Sequence, residues 1–237
     1  MDKSREIISI IIPTLNEESV LTSAIKAVQG GEGIEIIVVD GGSSDRTLEI
    51  AHCMKVKVVR SNAGRARQMN AGARESCGSI LFFLHADTEL PEGYDSCIRR
   101  ILHDSSITIG AFRLAIDTPG IFFRIIEYGA NLRSKYLNLP YGDQGLFMRR
   151  QDFNRAGWFP EIALMEDFSL IRQMKKLGRV VLAPLVVKTS ARRWRNLGIF
   201  HTTILNQLIV LAFVMGVSPL RLAGWYRRNK TGSIDAV

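Results

Sequence analysis

The chain has 237 residues, 46% hydrophobic and 23% charged, with 20 Gly and 7 Pro. This excludes a disordered, collagen-like or disulfide-stapled chain and suits one large α/β domain or two small ones. The formal charge is +8, and residues 188–230 hold eight bases (Lys188, Arg192, Arg193, Arg195, Arg221, Arg227, Arg228, Lys230) and no acid.

Ile7–Ile12 and Ile34–Val39 are short β-branched runs between breakers, the pattern of buried strands. Between them Val20, Leu21, Ala24, Ile25 and Val28 recur at helical spacing, and Gly30-Gly31 stops that helix. A turn at Gly41–Asp45, a helix over Thr47–Met54 and a strand over Val56–Val59 repeat the cycle. A helix over Ala66–Ser76 and a strand over Ile80–Leu84 follow. The alternation predicts a parallel sheet with helices on both faces.

Beyond Asp87 the rhythm loosens. Pro91–His103 reads as a helix with Pro in its first turn, and Ala111–Asp117 alternates like a strand. Phe122–Tyr136 reads as an amphipathic helix with Phe122, Ile125, Ile126 and Gly129 on one side. Leu146–Arg149 reads as a strand, Phe168–Leu177 as a helix closed by Gly178, and Val180–Val187 as a strand broken by Pro184. Only Leu208–Val217 within Ile199–Val217 is cleanly apolar, too short to span a bilayer that needs about 20 helical residues. With bases on both sides, the segment suits either contact with a membrane surface or packing on its own domain or a second subunit. Met1–Glu18 does not read as a signal peptide, because its apolar run is short and ends at Pro13. The three cysteines, Cys53, Cys77 and Cys97, form no C-x-x-C pair, so a reducing cytoplasm fits. No linker separates autonomous domains.

Ligands of open parallel sheets bind beyond the carboxyl ends of the strands. Three strands here deliver polar groups to that edge: Pro13-Thr14-Leu15-Asn16-Glu17, Asp40 before Gly41-Gly42, and His85-Ala86-Asp87-Thr88. G-x-G-x-x-G is missing from the first loop, and the P-loop, G-x-S-x-G and H-E-x-x-H patterns are absent from the chain. Hydride transfer, P-loop hydrolysis, serine hydrolysis and zinc hydrolysis are therefore poor readings.

Five segments in order resemble the inverting glycosyltransferases of family 2. They are "IIIPTLNEE" (10–18), "IIVVDGGSSDRT" (36–47), "GRARQMNAG" (64–72), "LFFLHADTEL" (81–90) and Met165-Glu166-Asp167. The resemblance implies an α/β fold of the GT-A type, an open, mostly parallel twisted sheet with helices on both faces, over residues 1–195. Residues 196–237 then form a basic and apolar helical extension rather than an independent domain. "HADT" in place of Asp-x-Asp, together with "PYGDQG", is similar to a compact bacterial subgroup sometimes linked to arsenosugar biosynthesis or carotenoid glycosylation.

The implied reaction passes a sugar from a nucleotide-sugar to a hydroxyl with inversion, assisted by Mg²⁺ or Mn²⁺. Charge builds on the leaving diphosphate as the glycosidic bond breaks, and a cation held by one or two carboxylates stabilises it. By resemblance Asp87 is the metal ligand. His85, standing for the first Asp, would face ribose, phosphate or metal, and Arg65 and Arg67 would supplement the cation at the diphosphate. Asp40 would accept hydrogen bonds from the nucleobase, uracil being commoner than guanine, with Pro13, Thr14 and Glu17 lining that pocket. Asp167 is the expected base and Glu166 the second candidate; Asp143, Gln144 and Trp194 are expected near the acceptor. Arg192-Arg193-Trp194 is similar to the Q-x-x-R-W of processive synthases, with Ser190 at the Gln position. A lipid-like acceptor, peripheral membrane contact and homo-oligomers fit the apolar segments. Two other readings stay open: a nucleotidyltransferase acting on a sugar phosphate, and a non-catalytic nucleotide-binding or nucleic-acid-binding protein. The tail lacks the interleaved aromatics of a single-strand groove, so no nucleic-acid partner is expected.

Overall fold

The computed structural model describes residues 6–231, without the side chains of Arg193, Asn196 and residues 227–231. Four bases of the C-terminal block, Arg193, Arg227, Arg228 and Lys230, thus fall outside the described side chains.

Strand β1 (Ile8–Thr14) leads through α1 (Leu21–Gln29) to β2 (Ile34–Asp40), and α2 (Thr47–Cys53) leads to β3 (Lys57–Arg60). Then come α3 (Arg65–Glu75), β4 (Ile80–Phe83), the two-residue β5 (Thr88–Glu89) and α4 (Tyr94–Leu102). The second half holds β6 (Ile107–Ile116), α5 (Ile121–Tyr136), a 3-10 turn (Gly142–Gln144), β7 (Leu146–Arg149) and α6 (Arg150–Ala156). It closes with α7 (Glu166–Leu177), β8 (Arg179–Thr189), α8 (Arg192–Leu197), α9 (Ile199–Val214) and α10 (Pro219–Thr231).

The eight strands form one sheet in the order β3-β2-β1-β4-β7-β6-β8-β5. The β3-β2-β1-β4 half is parallel throughout. Beyond β4 the sheet is mixed: β7 runs antiparallel to β4 and β6, β8 is parallel to β6, and β5 is antiparallel to β8. Because β1 lies between β2 and β4, its carboxyl end is where the chain changes direction across the sheet, the place such sheets reserve for ligands.

Both faces of β1 are covered, which explains its isoleucines on either face, interrupted only by Ser9, whose hydroxyl donates to Glu35 Oε2. Ile8, Ile10 and Ile12 pack with Leu21, Ile25 and Ile98 on one face, while Ile11 meets Ala66, Met69 and Ala73 on the other. No alternation survives where water touches neither face. On the α3 face the approach is so close that a Cβ on Gly72 would lie 2.5 Å from Ile11 Cγ2 and 2.8 Å from Val39 Cγ2. Only glycine lets that helix sit against the sheet.

Several expectations change. The α4 helix starts at Tyr94, after Gly93 at φ 70°, not at Pro91. Pro184 does not break β8; the pairing with β6 shifts between Ala111↔Leu182 and Arg113↔Val186, and the proline sits in that irregularity, where a missing N–H costs no ladder bond. The α5 helix is amphipathic, but the expected grouping splits, with Ile126 half-buried in the cluster of Phe123 and Trp194. Its buried side carries Phe123, Glu127, Ala130 and Ser134, whereas Phe122, Ile125 and Gly129 face outward. Glu127 accepts the Ile116 N–H and Ser134 donates to Gln144 Oε1 and the Ala130 carbonyl, so buried polar groups have partners that periodicity cannot show.

Candidate active site

The first two loops are stitched together before any ligand is considered. Asp40, 2% exposed, accepts the N–H groups of Gly42 (2.9 Å) and Ser43 (3.1 Å), closing the glycine turn. Asn16 accepts the Ser44 N–H at 2.8 Å, and the Glu17 N–H donates to Thr47 Oγ1 at 2.8 Å. Beneath them Gln68 Nε2 donates to the carbonyls of Thr14 (2.7 Å) and Val39 (2.9 Å), locking the β1 and β2 ends at fixed spacing. Thr14 is buried as well, its hydroxyl donating to the Val39 carbonyl.

The second feature is a group of carboxylates around one arginine. Arg65, the first residue of α3, reaches Glu166 Oε1 at 3.7 Å. Its side chain is 52% exposed, whereas that of Glu166 is buried. Burial would lower the Arg65 guanidinium, but the charges of Glu166, Asp167 and Asp87, with Tyr226, outweigh it and hold the group above its ordinary value. Burial likewise pushes the Glu166 carboxyl up, and Asp167 pushes it further while Arg65 opposes. Asp143 is raised by burial first; Arg133 and Arg65 pull it down, and the negative charges of Asp167 and Asp87 push it up. Asp87 and Asp167 therefore act on the same two groups, Arg65 and Asp143.

Asp167 is held in place by the neighbouring turn. Its Oδ2 accepts the Gly142 N–H at 2.8 Å, and its Oδ1 accepts the Phe168 N–H at 2.7 Å. Gly142 fills the gap between two expected site residues: a Cβ there would lie 2.9 Å from His85 Nε2 and 3.3 Å from Asp167 Oδ2. His85 and Asp167 thus border one glycine. Behind α7, the Asn70 amide bonds both the N–H and the carbonyl of Phe159, pinning the loop that delivers Glu166 and Asp167. The Asp87 carbonyl accepts the Ser190 N–H at 3.1 Å, where β5 pairs with β8.

Some expected residues do not reach this group. Arg67 pairs with Glu161 at 3.2 Å, both about half exposed, instead of facing the carboxylates. Gln144 is fully buried; its amide donates to the Phe112 carbonyl and accepts from Ser134 and the Tyr141 N–H, so it braces the turn and cannot touch an acceptor. Trp194 packs edge-on against Phe123 at 6.4 Å within an apolar cluster and anchors α8 to α5. Pro13 lies inside β1.

Sequence reasoning also missed residues. Arg192 donates to Glu17 Oε2 at 2.7 Å; this bond raises its guanidinium against the opposing effect of burial, and Asp87 adds to the rise. A cation assigned to the tail therefore stands at the first loop. Gln68 was legible in principle, since helical spacing sets it on one face with Gly72, which packs against the sheet, and a polar residue there needs buried partners.

The donor set suits a hard divalent cation. Asp87, Asp143, Glu166 and Asp167 offer carboxylate oxygens, and Asp143 Oδ1 is buried with no hydrogen-bond partner. Among the described residues no three His, Cys, Asp or Glu form a ready-made metal cage.

The sequence profile described as "Glycosyl transferase family 2" matches residues 9–158. The chain belongs to that family. The 4,4'-diaponeurosporenoate glycosyltransferase of Staphylococcus haemolyticus is 38% identical over 103 residues, 38% of this chain and 28% of that one. The chain spans about a third of the length of the curated relatives it matches, 28–36% for those compared. Among solved structures, the mannosyltransferase PcManGT from Pyrobaculum calidifontis, in complex with GDP-Man and Mn²⁺, superposes with a TM-score of 0.66 at 16% identity over 97% of this chain and 71% of that one. Glucosyl-3-phosphoglycerate synthase from Mycobacterium tuberculosis, in complex with Mn²⁺, UDP-glucose and phosphoglyceric acid, gives 0.57 at 19% identity, over 79% of this chain and 71% of that one. The family 2 chain thus has the GT-A fold.

Proposed function

We propose that this family 2 chain transfers a sugar from a UDP-linked donor to a hydroxyl acceptor, inverting the anomeric carbon. The observation that supports the reading is the meeting of His85 and Asp167 at Gly142, with Arg65 reaching Glu166 beside them. Mn²⁺ and nucleotide-sugars bound to the two compared structures support the donor class, one carrying UDP-glucose and the other GDP-Man; uracil is preferred as the commoner base.

Asp87 would hold Mg²⁺ or Mn²⁺, which when bound supplies positive charge to the leaving diphosphate. Arg65 adds a guanidinium whose paired donors match phosphate oxygens, and His85 faces the same end of the donor. Pro13, Thr14, Glu17 and Asp40 shape the nucleobase pocket. Asp40 does so through its turn, because its carboxylate is engaged by backbone N–H groups. At the opposite end Asp167 takes the proton of the acceptor hydroxyl as that oxygen attacks the anomeric carbon and the bond to the diphosphate breaks. One base and no covalent intermediate give inversion. Asp143 and Glu166 orient the acceptor, their carboxyls held above the ordinary range by burial.

Asp167→Asn tests the assignment, because an amide oxygen can still accept the Gly142 N–H. Turnover should fall by about 10²–10⁴-fold, while the thermal shift produced by UDP with Mn²⁺ stays at its wild-type size. Wild-type turnover in this variant sinks the assignment of the base.

A further inference from the structure

The long helices α5 and α9 each leave an apolar face uncovered, and the two faces join. On α5, Ile121, Ile125 and Tyr128 are 59–68% exposed, at a spacing that puts them on one side of the helix. On α9, Phe200, Ile204, Leu208, Leu211 and Met215, the last just past the helix end, are 55–69% exposed along one stripe. Phe122 of α5 meets Phe200 of α9 edge-on at 5.1 Å, so the stripes share a border. The opposite side of α9 is already engaged, with Ile209 and Ala212 packed in a cluster with Phe168 and Leu222. His201 and Gln207 interrupt the exposed side of the first half of α9, but its second half is apolar all round, and an apolar stripe of this length left open to water marks a contact surface.

We infer that this joined face of α5 and α9 seats the protein on the surface of an anionic lipid bilayer. Charge chooses the occupant. Residues 188–230, which include α9, carry no acid, and Arg195 and Arg221 are exposed just before and just after it. On α5, Arg124 and Lys135 are exposed, and the one acid, Glu127, is buried and paired with Arg124. A symmetric dimer through this face would set the same bases against each other, whereas acidic headgroups complement them. No helix among the described residues is long and apolar enough to cross a membrane, so the face lies in the interface with its bases at the headgroups.

The surface stands on its own geometry; only its use rests on the transfer reading. Trp194 of α8 packs among Phe123 and Ile199, and two residues earlier Arg192 grips Glu17 at the first loop. The short helix α8 therefore ties the bilayer face to the donor end, a layout suited to an acceptor hydroxyl presented by lipid.

The test is flotation of the full chain with vesicles of phosphatidylcholine, alone or with phosphatidylglycerol. Wild type should bind the anionic vesicles and be released by high salt. Ile125→Glu with Leu208→Glu should weaken binding by about tenfold or more, reversing apolar insertion and adding repulsion. Its melting temperature and UDP-induced shift should stay at wild-type values, because both positions are more than half exposed and outside the donor site. If the double variant fails to fold, Ile204→Ser with Leu211→Ser serves as the readout. The inference is overturned if wild type ignores anionic vesicles, if folded variants bind unchanged, or if wild type is a dimer that the variants turn into monomer. Loss of the UDP shift with vesicle binding intact would instead count against the transfer reading alone.

Discussion

The polar groups under the strand ends are buried and the carboxylates above them wholly or partly so, yet the two sets are treated in opposite ways. Below, Gln68 and Asn70 have their amides paired with backbone groups of Thr14, Val39 and Phe159. Above, Asp143 keeps an unpartnered oxygen and Glu166 shares its crowded place with Asp167. Satisfied groups make a rigid frame, and unsatisfied ones store a demand for a ligand or proton. The frame should therefore lose stability when altered, whereas the centre should gain stability and lose activity.

The largest effect belongs to Gly72→Val. Its side chain has no space between Ile11 and Val39, and overpacking of this kind costs about 3 kcal/mol or more. Chemical denaturation should show the loss; near wild-type stability would mean that α3 does not approach the sheet this closely. Next comes Asn70→Ala, which strands the buried N–H and carbonyl of Phe159 at about 1–3 kcal/mol. Turnover should fall as well, since the loop before Glu166 and Asp167 is released. A variant that loses stability while keeping full turnover would separate the frame from the site.

The smallest effect, with the opposite sign, is expected from Asp143→Asn. A carboxyl whose folded pKa is raised binds its proton more tightly in the folded state, so stability declines as pH rises from its ordinary value through its raised one. Removing the charge should raise the melting temperature at neutral pH, leave it nearly unchanged below the ordinary carboxylate range, and reduce turnover. A lower melting temperature at neutral pH would show that Asp143 already has a partner that stabilises its charge.

Legibility in the sequence followed the same physics. Strands β1 and β2 were plain because burial on both faces forces an apolar run. The Asn70-x-Gly72 pair was legible as a motif, although its two jobs, pinning Phe159 and admitting Ile11, were not. Helix α6 was missed because its seven residues bury only Asp152 and Phe153, too little for a period to emerge. Which side of α5 is covered was not legible, because the paired Glu127 and Ser134 look like surface residues until their partners are known.

By itself the sequence determined where chain direction reverses and which chemical groups stand at the strand ends, because both follow from local pattern and short-range turns. Tertiary structure alone decided which charges meet. Arg192 and Glu17 lie 175 residues apart, and electrostatic attraction acts through space rather than along the chain. It alone also decided which apolar faces stay open to solvent, since the apolar second half of α9 does not reveal which side its own domain will cover.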